Sequence, residues 1–262
     1  MAKYYEWTKK FKTFDDPFCQ ILLAYSAGDA FGAFYEFNGS HLEVPNELKA
    51  KVGWPIGGVS DDTALTLLTI KSMESENPGT TYLKLLKENL GQIRGLGPTT
   101  RRALGLEVKD YEPGELGNTN GALMRSALCG LANFSNNQIR CAIEVTHDKV
   151  EAIEYALMLV NLFRGAEIPN FSLPTEEVSL SPKQTYKSVC AVVVNSKSVS
   201  DTYLRACSLG GDTDTVAALS GALYLRKFGD PSFLEIDWLE QINWDEISEG
   251  IDQAVTILRR NS

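Results

Sequence analysis

The chain has 262 residues, 44% of them hydrophobic, which suits one core of ordinary size and a single domain over residues 1–262. A formal net charge of −9 argues against a broad, sequence-independent grip on nucleic acid, though not against a substrate that carries phosphates locally. No run approaches the roughly 20 apolar residues of a membrane span, and Met1-Ala2-Lys3-Tyr4-Tyr5-Glu6-Trp7 lacks the apolar centre of a signal peptide, so a cytoplasmic protein is expected.

Residues 1–14 form a polar and aromatic N-terminal arm. Asp15-Asp16-Pro17 then marks a helix start with proline in the first turn. Phe18, Ile21, Leu22 and Tyr25 follow at helical spacing, and the helix is expected to run through Gly28-Asp29-Ala30-Phe31-Gly32-Ala33-Phe34-Tyr35-Glu36. Asp29 falls one turn beyond Tyr25 on the apolar face, where an unpaired charge is expensive. Residues 38–58, with Pro45, Pro55 and several glycines, read as a long surface loop. A second helix runs from Ser60 to about Ser75, broken by Asn77-Pro78-Gly79, and Thr80 or Thr81 caps a third through about Ile93.

Residues 94–105 are glycine-rich with room for a short helix. Asn118-Thr119-Asn120-Gly121-Ala122-Leu123-Met124-Arg125 opens another toward Leu131. Asn136 or Asn137 caps the next segment, and Thr146-His147-Asp148 begins a helix through Phe163. Residues 165–182, with three prolines, read as a connecting loop, and helical periodicity resumes at Thr185. A helix over 199–209, capped by Ser200, ends at Gly210-Gly211, and an apolar helix follows over 216–225. In the tail, Ile247, Ile251, Val255 and Leu258 recur at helical spacing. Nowhere do strands and helices alternate, so an all-α fold is expected; only Ser188 to Val194, rich in β-branched residues, has strand-like content. The five cysteines are odd in number and widely spaced, which fits reduced core residues and not a disulfide frame or zinc site.

Two stretches stand out chemically. Gly57-Gly58-Val59-Ser60-Asp61-Asp62-Thr63 and Gly210-Gly211-Asp212-Thr213-Asp214-Thr215 each deliver two carboxylates and hydroxyls to the mouth of an apolar helix. One side-chain oxygen suffices to cap a helix, so the pairs exceed capping needs. If the mouths meet, four carboxylates converge, and divalent cations would balance them. An oxygen-only donor set favours magnesium or manganese over zinc. The Asn120-Gly121-Ala122 opening, unobstructed by bulk, suits a phosphate or ribose oxygen. His147 stands at a helix start from which its ring could face the same cavity.

These motifs, in this order and across about residues 18–245, resemble the ADP-ribosylglycohydrolase family. The resemblance implies an all-α orthogonal helical bundle forming one compact domain, with two magnesium or manganese ions in a central cleft. It implies that Ser60, Asp61, Asp62, Asp212, Asp214 and Thr215 are metal ligands. It also casts Glu36, Asp62 and Asp212 as catalytic groups, with Asp29 supporting their loop from behind. Asn120, Gly121 and Ala122 would lie along the diphosphate and distal ribose, with His147 near the nucleotide. The implied reaction is hydrolysis of the bond between ADP-ribose and a protein side chain or small conjugate, with ADP-ribose as product. No membrane takes part, and nucleic acid enters only as an ADP-ribosylated substrate.

The chain departs from the family pattern around Leu128, at Asp148-Lys149 and at Tyr224-Leu225-Arg226, which leaves the choice of linkage open. Asp110, Glu112 and Glu115 are available for the extra acid that arginine-directed members use. Two other readings are a silent ADP-ribose-binding relative and a metal phosphohydrolase. The intact aspartates count against the first, and the presence of only two histidines against the second.

Overall fold

The computed structural model describes residues 5–40, 43–108 and 116–262. Asp110, Glu112 and Glu115, and also His41, lie outside the described residues. Eleven α-helices account for the described architecture: α1 (Pro17–Gly32), α2 (Asp61–Ser72), α3 (Pro78–Asn89), α4 (Pro98–Ala103), α5 (Gly121–Ser126), α6 (Asn136–Glu144), α7 (Val150–Phe163), α8 (Pro182–Asn195), α9 (Val199–Leu209), α10 (Thr213–Phe228) and α11 (Trp244–Arg260). Among the described residues there is no strand, only an isolated parallel bridge between Val178 and Gly211. No described helix is long and apolar enough to cross a membrane.

The centre of the fold is the pairing of α1 with α10. Both are buried on nearly every side, which is why neither shows a polar face. Their backbones meet at glycines: a Cβ on Gly28 would fall 2.6 Å from the Ala217 carbonyl, and one on Gly32 would run into the backbone of Asp214. These small residues therefore set the distance between the two helices. Around this pair lie α2, α8, α9 and the amphipathic α11, whose Trp244 is fully buried. Tyr5, Trp7, Phe11 and Phe14 pack into this core. Trp7 stacks on Trp244 with ring centroids 5.2 Å apart, and Phe11 meets the same ring edge-on at 5.5 Å.

Several boundaries differ from those expected. Helix α1 stops at Gly32, not Glu36. The chain turns there, with the Tyr35 and Glu36 N–H groups both donating to the Gly32 carbonyl and Phe37 held at φ 50°. Helix α3 begins at Pro78 and is capped by the Asn77 side chain, which accepts from Thr80 N at 3.0 Å. Helix α8 likewise begins at Pro182, behind Ser181. Proline read as a breaker is here the first helical residue, a position where a missing N–H costs nothing. Ser135 caps α6 with a reciprocal Gln138 contact, Ser198 caps α9, and α7 starts at Val150, four residues after Thr146. The segment 188–194 is helical through its whole length, because both α7 and α10 pack on it and tertiary burial outweighs β-branched preference. All five cysteines are free, and four of them are buried.

Candidate active site

The first acidic turn is held by a residue from another helix. Ser60 sits at the N-cap of α2 and its Oγ accepts from Asp62 N at 3.0 Å. From α1, the fully buried Asp29 accepts from Ser60 N at 3.0 and 3.1 Å, from Thr63 N at 3.0 Å and from Thr63 Oγ1 at 2.5 Å. The orphan donors of the helix start are thus taken by Ser60 and Asp29. Asp61 and Asp62 are left free of capping duty, and Asp62 Oδ2 is buried with no hydrogen-bond partner.

The second turn is built on backbone. Gly210 and Gly211 have φ of 72° and 75°, and a Cβ at Gly211 would collide with the Val178 carbonyl. Asp212 N donates to Val178 O at 2.8 Å, and Val178 N donates to Gly210 O at 3.2 Å. Two residues on, the Leu180 carbonyl accepts from Asn120 N at 2.9 Å, and Asn120 Nδ2 donates to Asp212. The stretch from Val178 to Leu180, read from the sequence as plain loop, therefore clips the second acidic turn to the start of α5.

The turn after α1 is tied to the same place. Phe37 N donates to Gly211 O at 2.7 Å and Thr213 Oγ1 to Gly32 O at 2.9 Å. One carboxylate oxygen each from Glu36, Asp212 and Asp214 consequently lies within 4.8 Å of the others.

A single cavity is lined by Glu36, Asp61, Asp62, Asp212, Asp214 and Thr215 together with Asn120, Gly121 and His147. Ser60 and Ala122 do not line it. The Ser60 oxygen is engaged at the α2 cap, and Ser60 borders a separate groove of about 670 Å³ between α2 and α11. Ala122 is fully buried behind the α5 start. The cavity also takes residues the sequence did not single out: Gly95 and Gly97, Thr99 and Thr100, and Leu180. Thr99 and Thr100 had no chemical pattern to mark them. Leu180 holds Asn120 through its backbone carbonyl, which any residue could supply.

Burial and mutual repulsion push the acids toward their neutral forms. Asp61, Asp62 and Asp214 stand well above the usual carboxylate range, first because they are buried and then because other carboxylates face them. Asp212 is raised to about 6, again chiefly by burial, with hydrogen bonds from its neighbours pulling the other way. Such a group of oxygen donors fits a hard divalent cation, which would relieve the repulsion and could meet the orphan Asp62 oxygen. His147 behaves oppositely. Burial first, then the charges of Arg125 and Arg102, hold it well below its usual value, so its ring is neutral. Its two nitrogens contact Thr119 Oγ1 at 3.0 Å and Thr146 Oγ1 at 2.8 Å, which fixes the ring against Gly121, where a Cβ would come within 3.0 Å of it.

A profile of the ADP-ribosylglycohydrolase family matches residues 12–187, two-thirds of the chain. The match ends before the second acidic turn, so Asp212 and Asp214 join the first motif through the geometry described above. A solved structure titled "ADP-ribosylglycohydrolase-related protein complex" is similar with a TM-score of 0.77 at 24% identity, over 94% of this chain and 98% of that one, and so shares the fold. No curated protein matches the chain. The profile covers α1, the first acidic turn, the Asn120 opening and His147, and the fold brings the second acidic turn onto them: the chain belongs to the ADP-ribosylglycohydrolase family.

Proposed function

We propose that this protein is a metal-dependent hydrolase of the cytoplasm that cleaves the glycosidic bond between ADP-ribose and a modified protein side chain or small conjugate, releasing ADP-ribose. The observation that carries this reading is the convergence of both aspartate pairs and Glu36 on one cavity whose wall includes Asn120, Gly121 and His147. Asp61, Asp62, Asp212, Asp214 and Thr215 line that cavity and would hold two magnesium or manganese ions, while Ser60, whose oxygen caps α2, would brace the first pair. When bound, the ions supply positive charge for ribose hydroxyls and a water of lowered pKa.

The chain's own groups supply the rest. Cleavage at the anomeric carbon builds oxocarbenium-like charge, which the carboxylates of Asp62 and Asp212 oppose with negative charge. Glu36, half-buried at the edge of the cluster, is placed to take or give a proton as general base or acid. Asn120 and Gly121 line the cavity at the start of α5 and would lie along the diphosphate and distal ribose, with Ala122 packed behind them. Neutral His147, braced by two threonines, adds a polar ring beside them without repelling or fixing a metal ion.

The test is a panel of arginine-, serine-, acetyl- and nucleic-acid-linked ADP-ribose, with magnesium and with chelator, with Asp212→Ala as control. ADP-ribose is expected from at least one linkage, its release lost with chelator and reduced by about a thousandfold or more in the variant. Binding of ADP-ribose with no release from any linkage would favour the silent relative. Phosphate release from a nucleotide would favour the phosphohydrolase.

A further inference from the structure

Lys51 is the cation nearest this chemistry that the sequence reading passed over. It lies in the long loop before α2, at a four-residue turn closed by Trp54 N donating to Lys51 O at 3.0 Å, with Gly53 at φ 81°. A side chain at Gly53 would be strained there, so the turn is built to hold Lys51 and Trp54 together. The Lys51 ammonium lies 4.7 Å from the centroid of the Trp54 ring and bonds directly to Glu36 Oε2. The same ring reaches the cavity wall: a Cβ on Gly95 would sit 3.4 Å from Trp54 and 3.2 Å from Asp61 Oδ1. Asp214 and Asp61 also act on the ammonium electrostatically.

Glu36 is therefore claimed twice. One of its oxygens belongs to the group with Asp212 and Asp214, and its carboxylate is also the partner of Lys51. The Lys51 and Glu36 side chains are 31% and 21% exposed, buried enough for the pair to count and open enough for it to separate.

We propose that Lys51 is a positioning residue, a tethered counter-ion that holds Glu36 at the mouth of the carboxylate cluster and competes with divalent cations for it. This rests on the metal-dependent reading above. A divalent ion that engages Glu36 must displace the ammonium, which then leaves the Trp54 face. Cation binding and the release of Glu36 for proton transfer become one event, and metal affinity is set below what the carboxylates alone would give.

The experiment is calorimetric titration of the chelator-treated full chain with magnesium and with manganese, for wild type, Lys51→Met, Lys51→Arg, Glu36→Gln and the Lys51→Met/Glu36→Gln double variant. Lys51→Met is expected to bind the ion about tenfold more tightly, as expected for loss of a half-exposed competing charge. Lys51→Arg should restore wild-type affinity, and Glu36→Gln should abolish the gain in the double variant. Trp54 is the one tryptophan of the four that is not buried. Ion binding should therefore change tryptophan emission in wild type but not in Lys51→Met or Trp54→Phe.

Equal or weaker binding by Lys51→Met, with wild type binding normally, overturns this proposal alone. A rise in KM for an ADP-ribosyl substrate at unchanged metal affinity would also overturn it, making Lys51 a phosphate contact. No binding of either ion by wild type would sink the metal-dependent reading, and this proposal with it.

Discussion

At the scale of single residues, the site works because some side chains do structural duty so that others need not. Asp29 is the clearest case: it closes the start of α2 from α1, and Asp61 and Asp62 are spared. Asp29→Ala would leave buried donors at Ser60 and Thr63 unanswered and should cost about 2–4 kcal/mol in thermal or urea unfolding, with weaker magnesium binding as the α2 start loosens. An unchanged melting temperature would contradict this role.

The acids also predict a pH dependence. Asp212 in the folded chain titrates near 6, above its ordinary value of 3.8, because it is buried. A raised value contributes stability that is fully present below the unfolded value and is lost as pH rises through about 6. His147 runs the other way, since a value lowered by burial loses stability as pH falls below 6.5. The two trends oppose each other in the raw melting curve, so the clean measurement is the increment that magnesium adds. That increment should be small at pH 5, where protons hold the carboxylates, and grow through pH 6 to 7.5. A constant increment would mean that these aspartates do not receive the ion.

The elements were legible where their pattern is local. Helix-period apolar residues announced α1, α9, α10 and α11, and the acidic N-termini were found because capping needs fewer acids than these turns supply. The errors have two causes. Asn77 before Pro78 and Ser181 before Pro182 are local start signals that were read as breakers, whereas the end of α1 at Gly32 is imposed by the backbone of Asp214, far away in sequence. This contact gives a direct test. Gly28→Ala places a methyl within 2.6 Å of the Ala217 backbone, which cannot yield as a side chain would. It should destabilise by about 3 kcal/mol or prevent folding. Gly91→Ala, which points into open space, should shift unfolding by no more than about 0.5 kcal/mol. Equal behaviour of the two variants would mean that the close approach of α1 and α10 is not a determinant of the fold.

For the whole molecule, the N-terminal stretch is part of what closes the core. Trp7 is 5% exposed and stacked on Trp244, so Trp7→Ala should cost about 3–5 kcal/mol by denaturant unfolding while leaving magnesium affinity nearly unchanged, because neither ring lines the acidic cavity. The sequence alone determined the all-α class, the two acidic helix mouths, the oxygen-only donor set and the Asn120 opening, because each of these is written in neighbouring residues and in periods of three to four. It could not say that the clip from Val178 to Leu180 joins two of those motifs, that Glu36 leaves its helix to reach Asp214, or that Lys51 waits beside it. Those relations run between segments far apart in the chain and through backbone groups that every residue carries, and only the packing of α1 on α10 decides which of them meet.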